Sequence, residues 1–204
     1  VPVGKGEPWG SVGPAPAGLV VVESDTALQA VLTAYREAGE TPPPIGLVGG
    51  DLMRALGGTG DAARFGGEVA RLTVDAVRVE AAGRTAWFVA HLVARRSWWR
   101  GDITGVMNTQ YRGLWDVAPR AHPGDARADI VEVTAAMPLS DRIRARRRLA
   151  LGTHLPHPAI HVRQAATAEL SWSRPHTLWL DGRRWLTADA LTFVVEPDAL
   201  VVCV

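Results

Sequence analysis

Leu19-Val20-Val21-Val22-Glu23-Ser24-Asp25-Thr26 opens the stretch on which the first part of the fold turns. Four consecutive aliphatic residues followed at once by charged and capping residues predict a short buried strand that runs into a helix start. Ser24 or Asp25 suits the N-cap, and Leu28, Val31, Leu32 and Tyr35 recur at helical spacing. A helix is therefore expected over 26–38, stopped by Gly39. Thr41-Pro42-Pro43-Pro44 is a stiff extended linker. Ile45-Gly46-Leu47-Val48 predicts a second strand, and Gly49-Gly50 turns it into a short helix over 51–56 that closes at Gly57-Gly58. Residues 19–57 thus read strand–helix–strand–helix, a minimal parallel α/β unit with sharp loops at the C-terminal ends of its strands.

Before this unit, the first eighteen residues are dense in Gly and Pro and predict an extended arm with no regular element. After residue 67 the texture changes. Strands are expected over 69–79 and 85–94, joined by a turn at Ala81-Ala82-Gly83-Arg84. In the first of these, Arg71, Thr73, Asp75 and Arg78 interrupt the apolar positions, which predicts one wet face. Further short strands are expected over 103–107, 130–134, 160–163, 169–172, 177–180, 192–194 and 200–204. A single helix over 140–151 is capped by Ser140 and carries five arginines. Many short strands at regular spacing predict a β-sandwich or related double-sheet architecture.

The composition bounds the function. The chain has 204 residues, 47% hydrophobic and 21% charged, which is an ordinary globular mix. A net charge of +1 supplies no general field for gripping nucleic acid, and none is expected as a partner. No apolar run reaches the roughly 18–20 residues of a membrane span. One cysteine, Cys203, leaves no intrachain disulfide and no cysteine cluster for a metal, so a reducing, cytoplasmic setting is expected.

Three loops carry candidate chemistry. Ser24, Asp25 and Thr26 lie where free helix amides attract phosphate and a carboxylate can hold Mg²⁺, although plain capping explains them equally. Gly49, Gly50 and Asp51 let backbone approach a ligand, or form a tight structural turn. Asp181-Gly182-Arg183 is in isolation a hairpin turn. His154, His157 and His161 have a loose metal-like spacing that Pro156 and Pro158 disrupt. Trp98-Trp99 beside Arg95, Arg96 and Arg100, with the basic helix, offers a surface for peripheral membrane contact, or a buried indole with solvated cations. An open edge strand would allow a homodimer.

Taken in order, these pieces resemble the soluble bacterial diacylglycerol kinase-like lipid kinases. The resemblance rests on Met107-Asn108 followed by Gly113, on Ala118-Pro119-Arg120-Ala121, and on Asp125 with Asp129-Ile130-Val131. It continues through Gly152-Thr153-His154, His157-Pro158-Ala159-Ile160, Leu180-Asp181-Gly182 and the closing segment Phe193-Val194…Pro197. It covers roughly residues 103–204, and more loosely Ser24–Leu28 and Asp51–Leu56. It implies a truncated α/β nucleotide-binding-like lobe over 1–66, a β-sandwich lobe over 67–204, and a cleft between them. It implies ATP with Mg²⁺ and a lipid or other alcohol hydroxyl as acceptor. Ser24, Asp25, Thr26, Gly49, Gly50 and Asp51 would hold the nucleotide, Asp25 and Asp125 the metal, and Asp181 and Arg183 would act in catalysis. Departures are visible too. Glu23, Ser24 and Ala27 replace glycines of the family's nucleotide loop. Arg183 stands where the family has a glutamate, and an arginine cannot accept a proton at neutral pH. The alternative implied is a catalytically inactive, kinase-derived module that binds a lipid, a nucleotide or a protein.

Overall fold

Val20–Val22 (β2) and Ile45–Leu47 (β3) pair in parallel, and the helix Asp25–Ala38 (α1) crosses between them. The computed structural model, which describes residues 9–204, thus contains the expected α/β unit. Ser24 caps α1 by accepting from the Ala27 amide at 3.2 Å, and Gly39 ends it in the left-handed conformation at φ 71°. Leu28 and Leu32 bury the inner face of α1. The second helix is Gly50–Ala55 (α2), only six residues long.

The remaining elements are mostly strands. They run Glu68–Ala81 (β4), Arg84–Phe88 (β5), His91–Arg95 (β6), Ile103–Met107 (β7), Tyr111–Arg112 (β8), Trp115–Asp116 (β9) and Ala128–Val133 (β10). The helix Leu139–Leu149 (α3) follows, then Ile160–Ala165 (β11), Thr167–Leu180 (β12) and Arg183–Cys203 (β13). An eleven-stranded, largely antiparallel sheet takes the order β1-β4-β13-β12-β6-β7-β10-β11, where β1 is Ser11–Pro14. Strand β3 joins it in parallel with β13 through Val202 and Cys203, so the α/β unit is an extension of the same sheet. Where two separately bonded sheets were expected, hydrogen bonding links one path. That path curls back on itself: the Asp75 amide of β4 donates to the Pro123 carbonyl at 2.7 Å, just ahead of β10 at the far end. Val77, Phe88, Leu92, Val106, Ile130 and Phe193 form the core on the inner face.

Several local expectations change. Ser11–Pro14 is a strand paired with Glu68–Arg71, because the open edge of β4 supplies ladder partners that outweigh the Gly/Pro composition. The glycines and prolines before Trp9 lie outside the described residues. Asp75 does not face water. It is 1% exposed, and its carboxylate accepts the amides of Ala126 and Asp198. Helix α3 begins after Pro138 with no side-chain cap, rather than at a Ser140 cap. The strands expected at 169–172 and 177–180 are one strand, β12, with a register shift between Ser171 and His176, and those at 192–194 and 200–204 are both parts of β13. The run expected at 85–94 breaks into β5 and β6, for a reason that lies in the site below.

Candidate functional site

Asp181 sits at the β12–β13 hairpin, where Asp181 and Gly182 take φ of 46° and 83°, the positive pair an Asp-Gly turn favours. Its carboxylate is 4% exposed and turns inward. Oδ2 accepts the Val89 amide at 2.8 Å, and Oδ1 accepts those of Ala90 and His91 at 2.9 Å each. These three amides are therefore lost to any strand ladder, which is why β5 and β6 are separate. The Thr26 hydroxyl donates to the Asp181 carbonyl at 2.8 Å and ties the start of α1 to the hairpin.

Asp25 forms the next layer. It is 7% exposed, and its oxygens accept the amides of Asp51 at 2.5 Å and Leu52 at 3.0 Å, the free donors at the start of α2. Gly50, at φ 99°, has no room for a side chain: a Cβ would lie 2.4 Å from Asp25 Oδ1. Gly49 is pressed as closely against the Glu23 carbonyl, at 2.3 Å. Asp51 in turn accepts the Gly113 amide at 2.7 Å, and Arg54 donates to the Gly113 carbonyl at 2.6 Å while stacking over Tyr111. His91 Nδ1 lies 3.6 Å from Asp51 Oδ2.

Burial governs the electrostatics of this cluster. It pushes Asp181 up to about 8, helped by the nearby Asp25 and opposed by the three amides. It pushes Asp25 up to about 6 against the amides of Asp51 and Leu52. It raises Asp51 as well, and it lowers His91 to about 3, so that imidazole is neutral. Asp25, Thr26, Gly49, Gly50, Asp51 and Asp181 are thus brought together. Arg183 is not among them: it is exposed at the start of β13. Asp125 has other neighbours, accepting the Arg127 amide and lying near His122. No group of three or more His, Cys, Asp or Glu side chains suited to a metal ion occurs among the described residues, the three histidines at 154, 157 and 161 included.

Comparison with solved structures places this arrangement. A diacylglycerol kinase of Bacillus anthracis str. Sterne superposes with a TM-score of 0.64 at 12% identity, over 90% of this chain and 75% of that one. The chain has the diacylglycerol kinase fold. Two further proteins of that organism, provisionally described as diacylglycerol kinases, give TM-scores of 0.68 and 0.63 at 12% and 11% identity. Each covers 90% of this chain, and the chain covers 76% and 77% of them. No family model matches the sequence, and no curated protein matches it.

Within this kinase fold, a triphosphate would need open amides at Ser24–Thr26 and Gly49–Asp51. At the second of these loops the Asp51 amide, with that of Leu52, is already engaged by Asp25. At the first, the hydroxyls of Ser24 and Thr26 are turned to the Ala27 amide and the Asp181 carbonyl. Both oxygens of Asp25, the group that would meet Mg²⁺, are used as well. The Asp25 carboxylate and the start of α2, so arranged, do not fit ATP with Mg²⁺.

The open space of the fold lies elsewhere. A cavity of about 170 Å³ sits between β6, β7 and β10 on one side and α3 with the β8–β9 hairpin on the other. Val93, Gly105, Val131, Met137 and Leu149 line its depth, and Trp98, Trp99 and Trp115 its rim. Arg142, 5% exposed, holds α3 over it through the carbonyls of Gly101 at 2.6 Å, Thr134 at 3.0 Å and Met137 at 3.2 Å. Arg142→Met is expected to cost about 2–4 kcal/mol by orphaning these carbonyls and a charge-assisted set of bonds. Chemical denaturation measures it, and a cost under about 1 kcal/mol would show that α3 is held by other contacts. Sequence reasoning did not single out Val89, His91, Arg112 or Trp115, of which only Trp115, an aromatic beside a glycine turn, carried a signal. It placed Arg142 with the other arginines on the exposed side of its helix, but the three carbonyls it reaches bury it.

Proposed function

We propose that this chain is a kinase-fold module that binds a lipid-like amphiphile and does not transfer phosphate. The observation that carries the reading is the Asp25 carboxylate seated on the amides of Asp51 and Leu52. At a helix start those donors are where an anionic ligand group would be bound, and here the chain's own carboxylate takes them. Asp181 supports the same reading. A general base must reach the proton it removes, and both oxygens of this buried carboxylate are turned to backbone amides. The fold similarity to diacylglycerol kinases supports a lipid-type ligand, and the apolar cavity beneath α3 is the place for it. At about 170 Å³ it has room for an apolar group somewhat larger than a benzene ring, with a chain continuing outward.

Calorimetric titration of the chain with ATP and Mg²⁺ tests the first half. No saturable heat is expected up to millimolar nucleotide, and no ADP from a panel of diacylglycerols and long-chain alcohols. Saturable ATP binding with lipid-dependent ADP release would overturn the proposal in favour of a working lipid kinase. Decanol and decanoate test the second half, through quenching or shift of the emission of the rim tryptophans. Saturable binding of neither would remove the cavity from the reading.

A further inference from the structure

The cavity under α3 is apolar in its depth but not neutral at its walls. Among the described residues three arginines line it, Arg112, Arg142 and Arg146, together with His154, and no Asp or Glu does. Arg112 and Arg146 lie over the same Trp115 ring, at 5.6 and 5.4 Å from its centroid. Arg95 and Arg112 likewise both lie over Trp98, at 4.3 and 5.0 Å from its centroid. Three cations are thus stacked around two indoles at the cavity rim.

Their polar atoms are unusually free. Arg95 Nε, Arg112 Nε and Arg142 Nη1 are buried with no hydrogen-bond partner, and His154 Nδ1 is too. Among the described residues, no ion pair to a carboxylate involves Arg95, Arg112 or Arg146. Asp51 is the acid whose charge reaches Arg112, but it is engaged with the Gly113 amide. A buried, unmatched guanidinium donor is costly. Arg95 and Arg112 both lie over Trp98, near enough for the charge of Arg95 to disfavour that of Arg112. An anion placed at Trp115 would satisfy open donors, relieve that repulsion and leave an attached chain pointing into apolar space.

We infer that the cavity takes a single-chain anionic amphiphile, an alkyl carboxylate or alkyl phosphate, with its head group between Arg112 and Arg146 and its chain among Val93, Gly105, Val131 and Leu149. This rests on the cavity reading above and specifies the ligand. It departs from the neutral alcohol that the family resemblance implies, because an alcohol would leave the guanidinium donors unmatched in charge.

The test compares decanoate, decyl phosphate, decanol and acetate by titration calorimetry on the whole chain. The two anionic amphiphiles are expected to bind about tenfold or more tighter than decanol, as charge-assisted hydrogen bonds require. Acetate is expected not to saturate. Whichever anionic probe binds more tightly identifies the head group. Arg112→Gln with Arg146→Gln is expected to abolish the preference of the anionic probes over decanol. Gly105→Leu is expected to weaken all three chained probes, since a leucine there projects into the cavity. Circular dichroism confirms that each variant is folded, and competition of decanol against decanoate on the unmodified chain gives the same comparison without any variant. Decanol binding as tightly as decanoate, or acetate binding as well as decanoate, overturns the inference while the cavity reading stands. Failure of every chained probe overturns both.

Discussion

Asp181→Leu is expected to unfold the chain or bring it close to unfolding. The substitution leaves the amides of Val89, Ala90 and His91 buried without an acceptor and removes the anchor between the β12–β13 hairpin and the start of β6. A buried orphaned donor costs about 1–3 kcal/mol, and relaxation shares part of that among three, so a loss of about 3–5 kcal/mol is expected. That is a large share of a domain's net stability of about 5–15 kcal/mol. Asp181→Asn should cost less, because it keeps one carbonyl acceptor for these amides.

The same site sets a pH dependence. Asp25 and Asp181 have folded values of about 6 and about 8, both raised above the ordinary 3.8. The folded state therefore binds protons more tightly than the unfolded one, and stability is fully present below about pH 4 as far as these two groups are concerned. It is lost as pH rises through about 6 and then about 8. Urea denaturation across that window should show falling stability, with a flatter profile in Asp181→Asn. Stability that climbs steadily from acid to alkaline pH would show instead that the three amides hold Asp181 ionised throughout.

Gly50→Ala is expected to have the second-largest effect. A Cβ there meets Asp25 Oδ1 at 2.4 Å and the Asp25 amide nitrogen at 2.8 Å, on a backbone with φ of 99°. The backbone conformation alone costs an L-residue about 1–3 kcal/mol. The steric contact adds the loss of carboxylate–amide bonds worth about 1.5–3 kcal/mol each. Gly83→Ala provides the comparison, since Gly83 has a positive φ of 71° but no atom within 4 Å of its Cβ position. The difference in melting temperature between the two variants isolates the contact with Asp25. If Gly50→Ala melts no lower than Gly83→Ala, the carboxylate is free to move aside, and its hold on α2 is weak.

The sequence made the α/β unit legible because its signals are local. Ser24 as a cap, Gly39 as a stop and the aliphatic runs at 19–22 and 45–48 each act within a few residues, and the structure uses them that way. What failed were readings in which a distant partner decides. Asp75 alternates with valines and so looks solvent-facing, yet amides 51 and 123 residues away, at Ala126 and Asp198, draw it inside. Thr85–Ala94 has the composition of one strand, but a carboxylate about ninety residues later takes its central amides. At the candidate site, the sequence showed which loops carry carboxylates. It did not show that these carboxylates would bind the chain's own amides, because an aspartate that accepts from backbone and one that awaits a ligand are the same letter. The unpaired arginines around the cavity were equally hidden. Arg95 and Arg112 are seventeen positions apart, and only the folded sheet sets them over one indole.

Strand β13 gives the chain a particular order of assembly. Its first half pairs with β12, its second half with β4, and its last residues with β3. Strand β3 has no other neighbour but β2, so the α/β unit has an unfinished edge until Val202 and Cys203 of β13 pair with it. Pairings of such long sequence separation close slowly, and the waiting edge stays exposed to other chains in the meantime. A fragment stopping after α2 should therefore behave as a sticky, unpaired ribbon, and adding the peptide Leu200–Val204 in trans would not restore the many neighbours that hold that strand in line.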